Sequence, residues 1–522
     1  MKKYIKLTTV MVFAFLMHSC NEDKILDLEP VNNISNDASY STPSLIALSV
    51  TGMYNAAQMG YYNGTGGRGY VWGSAFVQQG DNRGEDVVNL QAFYQFTYQS
   101  TYDLNTANNV YYWIDGFRLI NRCNLVIEGV TKAVSNGVIT AAVGDNYIGQ
   151  AKFLRAITHF ELLTYFARPY NFTAGATHPG LPYREVGIDT QSEIDSEQAK
   201  GRNTVAECYT KILADLTDAE AKITQTTDKS LATKNSAIAF KTRVYLHKRD
   251  WAGVVTEASK PMTGISLTAS PEMPFVLANN LTNTESIFSI KHGPTAGQQN
   301  PGVNAALGSQ YKTRRLVCIS PIIWRDPSWL ADDKRRTEGT LVETVAGIKY
   351  TNKYKDGVSY TDAAPVIRFA EVVLNRAEAQ ARLATTTVQL DAAIVLLNSV
   401  RNRSLANPAT QAYTLTGINP LTNQAGVVGA ILKERRIEFL MEGRRWSDIH
   451  RLQNDDLFPI DGIPAKVGNG SATAAMFSAT GAYTGPYGEA AIPSSNFRIL
   501  WPIPLLETNA NPVLLAEQNP GW

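Results

Sequence analysis

Tyr147-Ile-Gly-Gln-Ala-Lys-Phe-Leu-Arg-Ala-Ile-Thr-His-Phe-Glu-Leu-Leu-Thr-Tyr-Phe166 carries Phe153, Ile157, Phe160 and Leu163 at three- and four-residue steps, the spacing that lines one face of an α-helix. Arg168-Pro169 ends it, because proline disfavours helical backbone in the preceding residue and has no amide hydrogen to donate. The same periodicity runs through residues 110–130 and, nearer the start, through Leu45, Leu48, Gly52 and Ala56. Downstream, residues 205–223 connect by a short polar link to 232–248, and Asp250-Trp251 opens a further helix to about Ser259. Residues 366–383 and 390–403 repeat the form around a Thr-rich turn at 385–387. Helix pairs of this length are the unit of tetratricopeptide-type (TPR) solenoids, in which each pair buries its face against the next. The expected fold is mostly α, with TPR-like helix-pair repeats, long loop-rich insertions and a few short strands. An irregular helical bundle without a true repeat is the alternative.

Between the helices the composition changes. Glycines crowd residues 60–84, which read as loop. Residues 265–365 are rich in Pro, Gly, Asn and Thr, and their short runs at 286–290, 316–319 and 348–350 are expected as strands or extended loops. A second irregular stretch, 454–498, is rich in Gly, Ala and Ser; loops of that length are functional or poorly ordered. At the start, Lys2, Lys3 and Lys6 precede eleven apolar residues, 7–17, and Ser19 stands before Cys20. A bilayer span takes about 20 such residues, so the pattern is a secretion signal of the lipoprotein kind, with Cys20 as the acylated residue. Met17 and His18 depart from the usual residues of that signal. Asn21, Glu22 and Asp23 then begin a solvated tether.

Forty-eight basic side chains against 47 acidic leave a net charge of +1, with no run of five like charges, which argues against nucleic acid as a partner. Cys123, Cys208 and Cys318 allow at most one disulfide and read as buried thiols. No Cys or His spacing suggests zinc, and no cofactor is expected. Gly64-Thr-Gly-Gly-Arg-Gly69 fits G-x-G-x-x-G, but Tyr61-Tyr62-Asn63 before it and Tyr70-Val71-Trp72 after it deny it the strand and helix of a dinucleotide site. With no Walker A, HExxH, G-x-S-x-G or EF-hand pattern, an enzyme has no positive support. Tyrosine, at 24, outnumbers phenylalanine, at 18, and eight tryptophans join them; such rings suit half-exposed binding surfaces.

One further segment is Lys433-Glu-Arg-Arg-Ile-Glu-Phe-Leu-Met-Glu-Gly-Arg-Arg-Trp-Ser-Asp-Ile-His-Arg-Leu452. Read as a helix, it puts Glu434, Glu438 and Glu442 on one face, where like charges repel unless compensated. Arg435, Arg436, Arg444 and Arg445 are the expected local compensation, stapling the helix to its neighbours through charge-assisted bonds. A glycosidase carboxylate pair is the competing reading, and four guanidinium groups oppose it by holding every glutamate ionised. The segment resembles the C-terminal signature of the SusD/RagB family. Gly149-Gln-Ala-Lys-Phe-Leu-Arg-Ala156, Phe369-Ala-Glu-Val372 with Ala377-Glu-Ala379, Leu500-Trp-Pro-Ile-Pro504 and Asn519-Pro-Gly521 agree with it in order.

The resemblance implies a SusD-like α–α superhelix with four TPR-like pairs, in a surface lipoprotein anchored in the outer membrane. It implies a SusC-type TonB-dependent transporter as partner and oligosaccharide as cargo, without catalysis. The RagB branch implies peptide cargo instead, and a glycoside hydrolase or a purely structural TPR scaffold is a more distant alternative. On this reading the chain divides into a signal peptide (1–19), a lipidated tether (20–40), an N-terminal helical region with the glycan-facing loop (41–230) and a C-terminal region (231–522). Sugar binding needs flat rings for the C–H face of a pyranose and polar groups for its hydroxyls. Tyr70 and Trp72, followed by Asp81, Asn82 and Arg83, supply both. The resemblance adds the loops before Asp332 to Arg335 as a second wall, and with them Tyr311, Trp324 and Arg325.

Overall fold

The computed structural model describes residues 36–60, 66–294 and 300–522; Cys20, the leader around it and Tyr61 to Asn63 lie outside them. Its principal helices are α1 (Pro43–Met59), α2 (Ser74–Asn82), α3 (Ala107–Ser135), α4 (Ala141–Phe166), α5 (Val205–Lys222), α6 (Lys234–Lys248), α7 (Trp251–Ala258), α8 (Phe369–Leu383), α9 (Thr387–Arg401), α10 (Gln424–Glu438) and α11 (Arg445–Arg451). Each helix from α3 to α9 packs on the next in chain order, and α10 closes the stack against α8 and α9. The expected helix-pair stack is therefore present, with residues 259–368 inserted between α7 and α8.

The quoted stretch forms all but the first six residues of α4, which lies between α3 and α5. From Gly149 to Phe166 every residue except Lys152 is buried. Phe153 and Phe160 both meet Phe240 of α6 edge-on, at 6.2 and 5.5 Å between ring centres, which ties α4 to α6. Gly149 stands where α4 meets the end of α5, and a Cβ there would come within 2.8 Å of the Ile223 side chain. Side chains settle the helix starts: Thr204 and Glu207 form a reciprocal capping box at α5, as do Thr386 and Gln389 at α9. Asp250 accepts from the Gly253 amide at the head of α7.

Among the described residues six strands, β1 (Val87–Asn89), β2 (Ser286–Ile290), β3 (Val317–Ile319), β4 (Val342–Val345), β5 (Ile348–Thr351) and β6 (Ala364–Arg368), pair antiparallel as β1–β3, β2–β6 and β4–β5. All three short runs expected in the insertion are strands. Three boundaries differ from expectation. Residues 74–82 are a fully buried helix and not loop. Val366 and Ile367 belong to β6, so α8 starts only at Phe369; an apolar strand running straight into an apolar helix face hides the change of period. The Lys433–Leu452 segment is not one helix: α10 ends at Glu438, Met441 and Gly443 take positive φ of 62° and 73°, and α11 begins at Arg445. Cys123, Cys208 and Cys318 are buried free thiols. Among the described residues no helix is long and apolar enough to cross a membrane, and no cluster of His, Cys, Asp or Glu is arranged to hold a metal ion.

Candidate functional site

The structure places all seven expected ligand residues in the interior, and of the stretch 60–84, read as loop, residues 69–84 are buried. Tyr70 and Trp72 are 0% and 1% exposed. Trp72 donates from its indole to Thr158 of α4 (3.3 Å) and packs on Phe76. Asp81 accepts from the Gly443 amide at 3.2 Å, and burial pushes its carboxyl well above the usual range. Burial raises the Tyr311 phenol and the nearby Asp81 charge adds to that, so two residues assigned to opposite walls lie close together, but inside the core. Asn82 gives its carbonyl to Lys466 (2.7 Å). Arg83 bonds Tyr102 and the Ile499 carbonyl and lies 3.9 Å over the Trp446 ring. Trp324 is covered by Arg336 at 3.9 Å and by Trp329. Arg325 donates to the carbonyls of Met476, Thr480, Gly481 and Ala482, so it is a strut for that loop. The glycines misled because they serve close packing: a Cβ on Gly67 would overlap the Met59 carbonyl, and one on Gly73 would overlap Gly69.

Behind these residues lies a buried lattice of ion pairs. Glu438 meets Arg335 (2.8 Å), Arg368 (2.7 Å) and Arg403 (2.5 Å); Glu442 meets Arg368 and Lys353; Glu434 meets Arg335 and Arg401. The three glutamates are thus compensated from other segments and not by the neighbouring arginines. Those reach outward: Arg435 to Asp448, Arg436 and Arg445 to Glu85 and Asp86, and Arg444 to Glu161. Burial alone would raise Glu438, yet Arg403, Arg368 and Arg335 overrule it and hold the carboxyl well below its ordinary range. The lattice fixes segments relative to one another and leaves Glu438 unable to act as a general acid near neutrality.

The lattice and the β1–β3 pair position an aromatic face that the sequence reading missed. Val87 faces Ile319 and Asn89 faces Val317, and the ladder continues through the Leu90 amide to the Leu316 carbonyl. This register sets residues 91–96 beside 311–316. Phe93 meets Tyr94 edge-on at 4.7 Å, and the Arg68 guanidinium sits 4.3 Å over the half-buried Phe93 ring. Tyr70 stacks beneath the half-buried Tyr111 at 6.1 Å. Burial raises the Tyr94 phenol, and Arg68 and Arg314 lie close enough to oppose that push. Exposed Arg314 donates to Asn304 (3.2 Å), and Phe96 is 42% exposed.

The 466–490 loop borders the same strand end. Gly470 donates to the Asn89 carbonyl, Asn89 to Asn469 (2.7 Å), and Gln99 to Glu489 (3.1 Å), with Tyr487 exposed nearby in sequence. Rings with guanidinium, amide and carboxylate groups beside them suit a neutral polyhydroxylated ligand, whose C–H face covers a ring while its hydroxyls bridge polar groups. The signal was present in Phe93-Tyr-Gln-Phe-Thr-Tyr98, four rings in six residues directly after an apolar strand. Two members, Tyr94 and Tyr98, are buried, and Phe93 and Phe96 remain at the surface.

Comparison with known proteins agrees with this architecture. Residues 331–522 match a family model described as the SusD family, and residues 24–246 match one described as starch-binding associating with outer membrane. SusD-like protein P38 of Formosa agariphila is 23% identical over 89% of this chain and 95% of its own length. A SusD-like protein of Bacteroides ovatus is 23% identical over 85% and 82%. Among solved structures, a SusD superfamily protein from Bacteroides fragilis superposes with a TM-score of 0.71 at 24% identity, covering 91% of this chain and 99% of that one. Surface glycan-binding protein A from Bacteroides fluxus gives 0.63 at 18%, covering 92% and 100%. With residues 24–246 and 331–522 both matched by models of this family, the chain belongs to the SusD/RagB family.

Proposed function

We propose that this protein captures oligosaccharide at the cell surface, held to the outer membrane by an acyl chain on Cys20, and passes it to a SusC-type TonB-dependent transporter without chemical change. The observation that carries the reading is the face built from Phe93, Phe96 and Tyr111 with Arg68, Arg314 and Asn304, set on a rigid frame of strands and buried ion pairs. The family model's starch-binding description and the glycan-binding name of the Bacteroides fluxus relative support the choice of ligand. Affinity in such a site comes from several weak contacts along one chain, each ring covering one sugar.

Calorimetry of the purified protein against a panel of polysaccharide-derived oligosaccharides and peptide pools tests the cargo. Saturable binding to one glycan class, weakened by Phe93→Ala, is the expected result, and binding confined to peptides overturns it. Recovery of a TonB-dependent barrel with the protein from detergent-solubilised outer membrane tests the partner. Release of reducing ends from a bound oligosaccharide would replace binding with hydrolysis.

A further inference from the structure

A cleft of about 790 Å³ lies between α1 and one side of α3. It follows α3 from Trp113 to Leu125, about 18 Å at the helical rise per residue. Its floor is aromatic: Trp113 is 2% exposed, packs on the half-buried Phe117 at 4.6 Å and meets Phe166 edge-on at 4.9 Å. Its walls are branched aliphatic, with Leu45 and Leu48 on α1 facing Ile114 and Leu125 on α3. Leu48 is 63% exposed, a large apolar group held out to water at the rim. Such branched aliphatic walls fit an acyl chain.

The charge in the cleft is uneven. Arg118 and Arg122 stand one turn apart on α3, where like charges repel. Arg118 lies 3.9 Å from Asp115, whereas Arg122 reaches only the Gly52 carbonyl, at 3.3 Å. Partial burial of its guanidinium and the Arg118 charge together lower the Arg122 pKa, and an anion placed between the two arginines would relieve their repulsion. The wall's carboxylate, Glu507, already accepts the Trp113 indole hydrogen at 3.1 Å. A concave, mostly apolar site with a few convergent polar groups has the build of a small-ligand pocket.

We propose that this cleft binds an amphipathic anion, an aliphatic chain lying along Leu45, Leu48, Ile114 and Leu125 with a carboxylate or phosphate head held by Arg118 and Arg122. The same chemistry occurs in free fatty acids and in anionic membrane lipids. Dodecanoate and dodecyl phosphate are the probes, titrated into the purified protein by calorimetry, with dodecyltrimethylammonium as the control of opposite charge.

Saturable one-to-one binding of the two anions is expected, at least tenfold tighter than the cation. Arg122→Gln and Leu48→Gln, both at exposed positions, should each weaken it about tenfold, equivalent to about 1.4 kcal/mol, and leave oligosaccharide binding unchanged. Co-flotation with phosphatidylglycerol vesicles that is lost in Arg122→Gln supports the site and makes a bilayer lipid its source. Anion binding without co-flotation supports it with the free acid as source. The proposal is overturned if neither anion binds, if the cation binds equally, if neither substitution has an effect, or if an acidic peptide competes where dodecanoate does not bind.

Discussion

At the scale of single residues, buried and surface rings have opposite expected phenotypes. Phe93 sits half-buried beneath Arg68, so Phe93→Ala should weaken oligosaccharide binding about tenfold, the equivalent of about 1.4 kcal/mol, with little change in melting temperature. Trp324 packs between Arg336 and Trp329, so Trp324→Ala should cost about 3–5 kcal/mol of stability in denaturant titration, while the protein that remains folded binds normally. Glu438 faces three arginines in the interior. Its amide replacement, Glu438→Gln, leaves those cations under-compensated and should cost about 3–5 kcal/mol by the same titration. A smaller loss would mean that Glu285 and Glu442 re-pair with the freed arginines.

At the scale of elements, α2 and the turn before α11 are fitted back to back. A Cβ on Gly80 would overlap the Gly443 carbonyl, and one on Gly443 would come within 2.9 Å of the Val77 Cα. Gly80→Ala should therefore destabilise by about 1–3 kcal/mol, although alanine is the better helix former in isolation. This contact shows why the middle of the chain was harder to read than its helices. The Phe153–Leu163 stripe and the Thr204 and Thr386 caps are local signals, and the helices they mark were legible. Residues 60–84 look like loop because their glycines mark close packing and not turns, Gly67 and Gly73 against nearby backbone and Gly80 and Gly84 against Gly443 and Arg445, hundreds of positions away. The candidate face was missed for the converse reason. The short helical turns of 92–99 leave Phe93 and Phe96 at the surface and bury Tyr94 and Tyr98, a division that depends on how those turns pack and not on the local sequence.

At the scale of the whole molecule, charge has been taken indoors. Lys466 is buried against Asn82 and Tyr98, and burial, with Arg83 nearby, lowers its pKa to about 7 from an ordinary 10.5. Between those values the unfolded chain holds a proton that the folded chain has released, so this group adds stability as pH rises from about 7 towards 10. Thermal melts across that range should show a slope that Lys466→Met removes. An unchanged slope in the variant would place the effect elsewhere.

The ion pairs around Glu85 and Asp86 also carry a temporal meaning. Both carboxylates take their arginines from Arg436 and Arg445, some 350 positions later in the chain. A nascent polypeptide translated only as far as α9 has these two acids without their counter-ions, so the contacts that tie residues 85 and 86 to α10 and α11 can form only once the final fifth of the chain has been made.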